Sequence, residues 1–425
     1  MTITVGFAGM THLGINSAVA TAAHGFPVVG FDADAGLVAR LRDHRMPVVE
    51  PDLDDLVAAH ADRLTFTAAA ADLARCDVVY IAADVPTDDD AKSDLSPIRV
   101  LIEQVAAHLR ADAVLVVLCQ VPPGFTRSIT SVPHDRLVYQ VETLIFGRAV
   151  ERAMHPERFI IGLADPAKGL PAKVEQVLAA FGCPILPMRY ESAELAKISI
   201  NFCLVASVSV ANTLAEVSEA IGADWSEIAP ALKLDKRIGP FAYLAPGLGI
   251  SGGNLERDLR TVLDIAAVEK TDVGVVEAWI ANSHWRKDWP WRTLEPVIAG
   301  RPDARIAVLG LAYKENTHST KNSPSLVLLE HLAGRDVVVH DPVVPADVVP
   351  WAAGAATALE AVQGADVLLV MTPWPEYRDI GALDVARAMR GRVVIDPYGL
   401  LDGRGMVAAG FHWQTLGRAP VREGT

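Results

Sequence analysis

The chain has 425 residues, 51% of them hydrophobic and 21% charged, with a formal net charge of −14. That length exceeds one ordinary hydrophobic core, so two or three domains are expected. The acidic balance argues against nucleic acid as a partner, no uninterrupted apolar run reaches the roughly 18 residues of a membrane span, and a start that enters a strand pattern without a basic segment predicts a cytoplasmic protein.

Residues 2–9, TITVGFAG, read as a buried strand closing in a glycine turn. MTHLGINSAVATAAHG follows with helical periodicity, and PVVGFD is a second strand ending at Asp32. Gly9, Thr11 and Gly14 occupy the Gly-x-Gly-x-x-Gly positions, with His12 and Leu13 between them at the helix start. Asp32 stands 18 residues after Gly14, near the spacing of the acid that holds the adenosine ribose hydroxyls. The pattern predicts NAD, because an aspartate there repels the 2′-phosphate of NADP. Thr11 departs from it. Its side chain has to lean away from the pyrophosphate or offer its hydroxyl as a donor.

Farther on, CDVVYIAADVPT is a strand whose exit places Pro86 and Thr87 where ligands meet open α/β sheets. SPIRVLIEQVAAHL is a helix, and AVLVVLCQVPPG is a strand with Gln120 in its exit. RLVYQVETLIFGRA and RFIIGL add two short apolar runs, completing a doubly wound domain over residues 1–190. Cys76, Cys119, Cys183 and Cys203 fit no zinc or redox spacing, so buried free thiols and no metal are expected.

From Glu191 about thirty residues run without Pro or Gly until their end, with apolar residues on more than one helical face. A long helix buried between domains or subunits is predicted. Lys197 and Asn201 lie four apart on it, hence on one face. A lysine beside an amide on an apolar helix suggests a pocket; a surface pair is the alternative. GLGISGGNLERD, from Gly247 to Asp258, packs four glycines ahead of a helix start, a place suited to an anion or a polar reacting group. No Gly-Lys-Ser/Thr ends it, so it is not a Walker loop.

Helical patterns fill the rest of a central region over 191–300. Residues 301–425 restart an α/β pattern: ARIAVLG, DVVVHDP, ADVLLVMTPW and GRVVIDPYG are strands. VVVHD ending at Asp341 echoes PVVGFD ending at Asp32, but without the glycine pattern the second sheet should bind something other than the same dinucleotide. Residues 416–425 read as a frayed tail. The fold class is therefore α/β, two Rossmann-like doubly wound domains joined by a long central helix.

With these elements in this order, the chain resembles the UDP-glucose/GDP-mannose dehydrogenase family over about residues 3–405. The resemblance is carried by EPDLDDLV at Glu50, VPTDDDAKSDLS at Val85, VPPGFT at Val121, AELAKISIN at Ala193, DKRIGPFAYLAPGLGI at Asp235 and GLAYKENTHSTKNSP at Gly310. It implies NAD on the N-terminal domain, a nucleotide sugar (UDP-linked in the family's majority) on the C-terminal domain, and a homodimer through the long helix. The family oxidises a sugar CH2OH to a carboxylate in two steps, through a cysteine thiohemiacetal and a thioester.

Residue by residue, the resemblance assigns the family's lysine, asparagine and aspartate to Lys197, Asn201 and Asp258. Glu142 matches a glutamate of its substrate segment, with Thr143 and Leu144 beside it as substrate contacts. Arg237, Tyr243, Gly247, Gly249, Tyr313 and Lys314 fall at phosphate, sugar or nucleotide contacts, and Lys321 stands for a nucleotide-binding arginine. The departures fall together. The family's cysteine falls on Asn254, a second glutamate on Phe146, a threonine on Gln120, and an arginine near the end on Tyr398. An amide forms no thiohemiacetal, and Phe146 dries the place of an activated water. The expected activity is hydride transfer from a sugar hydroxyl without a covalent intermediate, ending at two electrons or returning the hydride. Ordinary UDP-glucose 6-dehydrogenase activity and a non-catalytic nucleotide-sugar or NAD-binding protein are the alternatives.

Overall fold

The computed structural model describes residues 2–88 and 92–420. Asp89, Asp90 and Ala91 of the VPTDDDAKSDLS stretch, and the last five residues of the expected tail, lie outside the described residues. Two compact units form, Met1–Ile200 and Asn201–Thr425.

The first unit is built on eight strands: β1 (Val5–Ala8), β2 (Val28–Phe31), β3 (Leu64–Thr67), β4 (Val78–Ile81), β5 (Val114–Val117), β6 (Leu137–Gln140), β7 (Phe159–Leu163) and β8 (Ile185–Arg189). Their order is β3-β2-β1-β4-β5-β6-β7-β8, parallel except that β7 runs antiparallel to β6. The inner strands VGFA, VVYI and VLVV are buried on both faces, hence their unbroken apolar sequence. The two strands absent from the sequence reading, β3 and β8, are the sheet edges. Edge strands tolerate polar residues and a proline such as Pro187, so they carry a weak signal.

The second unit holds six parallel strands: β9 (Arg305–Leu309), β10 (Asp336–His340), β11 (Ala353–Gly354), β12 (Val367–Val370), β13 (Val393–Ile395) and β14 (His412–Gln414). Their order is β11-β10-β9-β12-β13-β14. In both sheets the chain reverses direction beside the first strand, at β1/β4 and β9/β12, the crevice where open α/β sheets bind ligands.

The long helix is a single element, Tyr190–Ile221. It holds no unbroken apolar run of membrane length, yet an 18-residue window in it has a mean hydropathy of 1.7, and 33% of that window is buried. Serines, two asparagines and a threonine break its apolar runs without adding charge, so the average stays high. Val210, Leu214, Val217 and Ile221 are exposed at spacings of four, three and four, forming one stripe.

Two expectations are corrected. Cys203 is exposed and Cys183 half-buried, because Cys203 lies on a face of the long helix that a single chain leaves uncovered; Cys76 and Cys119 are buried as expected. The start of the predicted tail is not frayed. Leu416 is buried, Gly417 N donates to Glu219 Oε1 at 2.8 Å, and Trp225 N donates to the Gly417 carbonyl at 2.8 Å. Glu219 also accepts from Trp289 Nε1 at 2.9 Å and pairs with the fully buried Arg286 at 3.3 Å. These partners are distant in sequence, so local composition gave no sign of them.

Candidate active site

The glycine turn after β1 leads into the first helix, His12–Ala23. Gly14 is obligatory there, since a Cβ would lie 1.8 Å from the Gly9 carbonyl oxygen. Asp32, just after β2, accepts from Met10 N at 2.8 Å and Asp34 N at 2.9 Å, one donor on each oxygen. Each oxygen keeps a lone pair for a ribose hydroxyl. The open helix start, the bare glycine backbone and this carboxylate fit a dinucleotide. Thr11 resolves its departure inside the fold: its hydroxyl donates to the Ala82 carbonyl at 3.3 Å and accepts from Asp84 N at 3.1 Å, stitching the turn to the end of β4. Leu13 is buried under the turn. Pro86 and Thr87 follow β4, Thr87 bridging to Ser93, and Gln120 follows β5 half-buried.

Asp341, the echo of Asp32, has a different task. Its Oδ2 accepts from Leu311 N, Ala312 N and Trp374 Nε1 at 2.7, 3.0 and 3.0 Å, and its Oδ1 from Val343 N and Val344 N at 2.9 and 2.8 Å. Burial opposes its charge, but the backbone donors outweigh burial and hold the carboxyl below its usual range. Five donors exhaust the carboxylate, so the second sheet has no acid left for a ribose in the manner of Asp32.

Lys197 and Glu142 meet in the first unit, with Nζ 3.7 Å from Oε2 and both side chains mostly buried. Glu142 also accepts from Leu144 N, which curls the segment through Thr143, and the Thr143 carbonyl accepts from Arg152 Nε at 2.7 Å. Three residues before Lys197, Glu194 is fully buried and accepts from Gly124 N at 2.6 Å and Thr126 N at 2.8 Å, fixing the loop after β5 to the helix. Burial raises its pKa against the pull of those donors.

Asn201 Nδ2 donates to Asp258 Oδ2 at 2.5 Å, and both residues are buried. Lys197 is thus mostly buried beside Glu142, and Asn201 is buried against Asp258. Asp258 lies one turn into the helix Asn254–Glu269, whose first residue, Asn254, is exposed. The preceding loop is held at several points. Gly247 N donates to Asn212 Oδ1 at 2.7 Å, and Ile250 N to Ser283 Oγ at 2.7 Å. Gly249, at φ +77°, passes so close that a Cβ would lie 2.4 Å from the Ser283 carbonyl oxygen. Gly252 N donates to the Lys321 carbonyl at 3.2 Å, and the Tyr313 ring packs on Gly252. The Lys321 side chain runs past Gly253, and Lys314 Nζ lies 5.8 Å from the Tyr313 ring centroid. The loop thus gathers Tyr313, Lys314 and Lys321 but not Arg237 and Tyr243. Arg237 is 88% exposed and pairs with Asp235 at 2.6 Å, and Tyr243 is half-exposed.

Sequence reasoning missed Lys287 here. It is buried, bonds Asn322 Oδ1 and lies 3.3 Å from Glu256 Oε1, tying the helix start to the segment that carries Lys321. Desolvation lowers its pKa, with Glu256 opposing. Its partners lie 31 and 35 residues away, a separation at which no periodicity gives a signal.

Three domain models of one family, UDP-glucose/GDP-mannose dehydrogenase, match the chain: the NAD binding domain over residues 1–181, the central domain over 191–283 and the UDP binding domain over 307–403. The cofactor is NAD, and the Gly9–Gly14 turn with Asp32 lies within the matched NAD-binding segment. The chain is 31% identical to the UDP-glucose 6-dehydrogenase of Pseudomonas aeruginosa, covering 96% of each sequence. It is 28% identical to UDP-glucose 6-dehydrogenase TuaD of Bacillus subtilis, covering 97% of this chain and 93% of that one. Among solved structures, a UDP-glucose dehydrogenase from Pyrobaculum islandicum superposes with a TM-score of 0.84 at 26% identity, covering 95% of this chain and 96% of the other.

Proposed function

The chain belongs to the UDP-glucose/GDP-mannose dehydrogenase family and is an NAD-dependent enzyme acting on a nucleotide sugar; from that premise we propose that it oxidises a hydroxyl of a UDP-linked hexose by two electrons, without a covalent intermediate. The observation that carries this reading is the residue at the start of the helix Asn254–Glu269. Asn254 stands there, one turn before the buried Asn201–Asp258 pair. A thiohemiacetal needs a thiolate. Burial pushes the Cys76 and Cys119 thiols up to about 12, and neither Cys183 nor Cys203 lies on the loop.

NAD, when bound, would supply the acceptor for a hydride leaving the sugar carbon. The hydroxyl proton leaves at the same time, to Lys197 or to a water held by Asp258. Lys197 and Asn201 then face the developing oxyanion from successive turns of one helix face. Asn254 is neither base nor nucleophile, so it serves by hydrogen-bonding a hydroxyl or carbonyl. Phe146, half-exposed, offers no carboxylate to activate water for hydrolysis. Arg237 and Tyr243, solvent-facing in one chain, join the site across a dimer formed along the stripe Val210, Leu214, Val217 and Ile221.

The second reading is full oxidation to a UDP-uronate, favoured by the similarity to UDP-glucose 6-dehydrogenases over nearly the whole chain. Product analysis with a panel of UDP-sugars separates the two. One NADH per turnover with a carbonyl product, or an epimerised sugar with no net NADH, supports the reading without a covalent intermediate. Two NADH and a uronate overturn it.

A further inference from the structure

His12 is the first residue of the helix that the glycine turn after β1 leads into, and its side chain reaches beyond that turn. Its Nε2 lies 2.7 Å from Glu50 Oε1. The Glu50 side chain is completely buried. The same Oε1 accepts from Gly147 N at 2.8 Å, and Oε2 accepts from Ala149 N at 3.0 Å. These are the amides at the start of the short helix Ala149–Met154, which its own flanking residue, Arg148, does not cap. The circuit closes through Phe146, whose ring stacks on the His12 imidazole with centroids 4.1 Å apart and planes 28° apart.

Glu50 is thus a buried charge shared between the cofactor turn and the segment Glu142–Ala149. A carboxylate with no solvent cannot change partners cheaply, because any group it releases leaves it undersolvated. The His12 ring is held from one side by Glu50 and from the other by Phe146. Fixing one end of this circuit removes freedom from the other.

We propose that the His12–Glu50 pair couples cofactor binding to the substrate segment, so that a dinucleotide docked at the Gly9–Gly14 turn pre-orders Glu142, Thr143 and Leu144 for the sugar. This rests on the reading of that segment as a substrate contact. The nucleotide sugar then loses less segment entropy on binding, a positive coupling that is reciprocal by linkage. His12 is a positioning residue in this scheme and touches no reacting atom.

The test uses the full-length protein, with ADP-ribose as the dinucleotide probe so that no hydride moves, and UDP-glucose as the sugar probe. Calorimetry should show UDP-glucose binding about tenfold tighter in the presence of ADP-ribose. His12→Phe keeps a stacking ring and loses the link to Glu50. Its affinity for ADP-ribose is measured first, and at saturating ADP-ribose the tenfold gain in UDP-glucose binding should be abolished. Hydrogen exchange supplies a readout independent of the sugar. ADP-ribose alone should slow exchange across residues 142–150 in the native protein and not in His12→Phe. Equal slowing in both proteins, or a coupling that survives in the variant, overturns the proposal. Absent UDP-glucose binding with normal exchange behaviour instead counts against UDP-glucose as substrate and leaves the coupling supported.

Discussion

Asn201 donates to Asp258 across 57 residues of chain, 2.5 Å between Nδ2 and Oδ2, with both residues buried. The bond fixes which way the amide points, since its NH2 side must face the carboxylate and its carbonyl side is turned elsewhere. Asp258→Asn removes the charge while keeping the shape. On the proposed mechanism, in which Asp258 holds a proton-accepting water, kcat should fall about a hundredfold. The KM for NAD should stay within about twofold. Steady-state NADH formation at varied NAD and sugar checks both values.

Asn254→Cys places a thiol at a helix N-terminus, where the thiolate is favoured. Without a carboxylate at position 146, hydrolysis of the resulting thioester should be slow. The variant incubated with NAD and UDP-glucose should therefore show a covalent sugar adduct by intact mass, and the native protein none. Adding Phe146→Glu should clear the adduct and release uronate.

Glu219 gathers Arg286, Trp289 Nε1 and the Gly417 amide. Arg286 is fully buried, with Glu216 at 3.2 Å as its other partner. Glu219→Ala leaves a buried guanidinium half-compensated and frees the C-terminal tie. A loss of about 3 kcal/mol is expected, read as a lower urea midpoint. Glu219→Gln should recover part of it, as the amide oxygen still accepts from Trp289.

Asp366 is nearly buried, bonded by Arg390 and Arg301 and by Arg305 N. Its hydrogen bond to Arg390 does most to hold its carboxyl well below the usual 3.8. The folded state therefore binds this proton more weakly than the unfolded chain does. Its stabilising contribution is complete above about pH 5 and is lost as the pH falls through the ordinary carboxylate range and below. Asp366→Asn should lower stability at neutral pH and flatten the acid limb below about pH 4. Urea midpoints across that range measure the difference.

How much of this was legible depended on distance along the chain. β1, the first helix, β2 and Asp32 form one local unit, and the glycine spacing that defines it is a backbone demand visible in any sequence. The same holds for β9, β10, β12 and β13, whose burial on both faces enforces apolar runs. The edges β3, β8, β11 and β14 were missed because they are partly solvated, so burial imposes little on their composition.

The sequence by itself determined the fold class, the cofactor turn and the residue types at Lys197, Asn201, Asn254 and Asp258, because helical period and glycine spacing are local physical requirements. Only the tertiary structure decided what those residues hold. It alone showed that Asp341 spends its carboxylate on five donors while Asp32 keeps capacity, though both end the same strand pattern. It alone joined His12 to Glu50 and Lys287 to Asn322. Hydrogen bonds between residues 31 to 198 positions apart leave no period to read, and a buried charge reveals its partner only when the chain has folded around it.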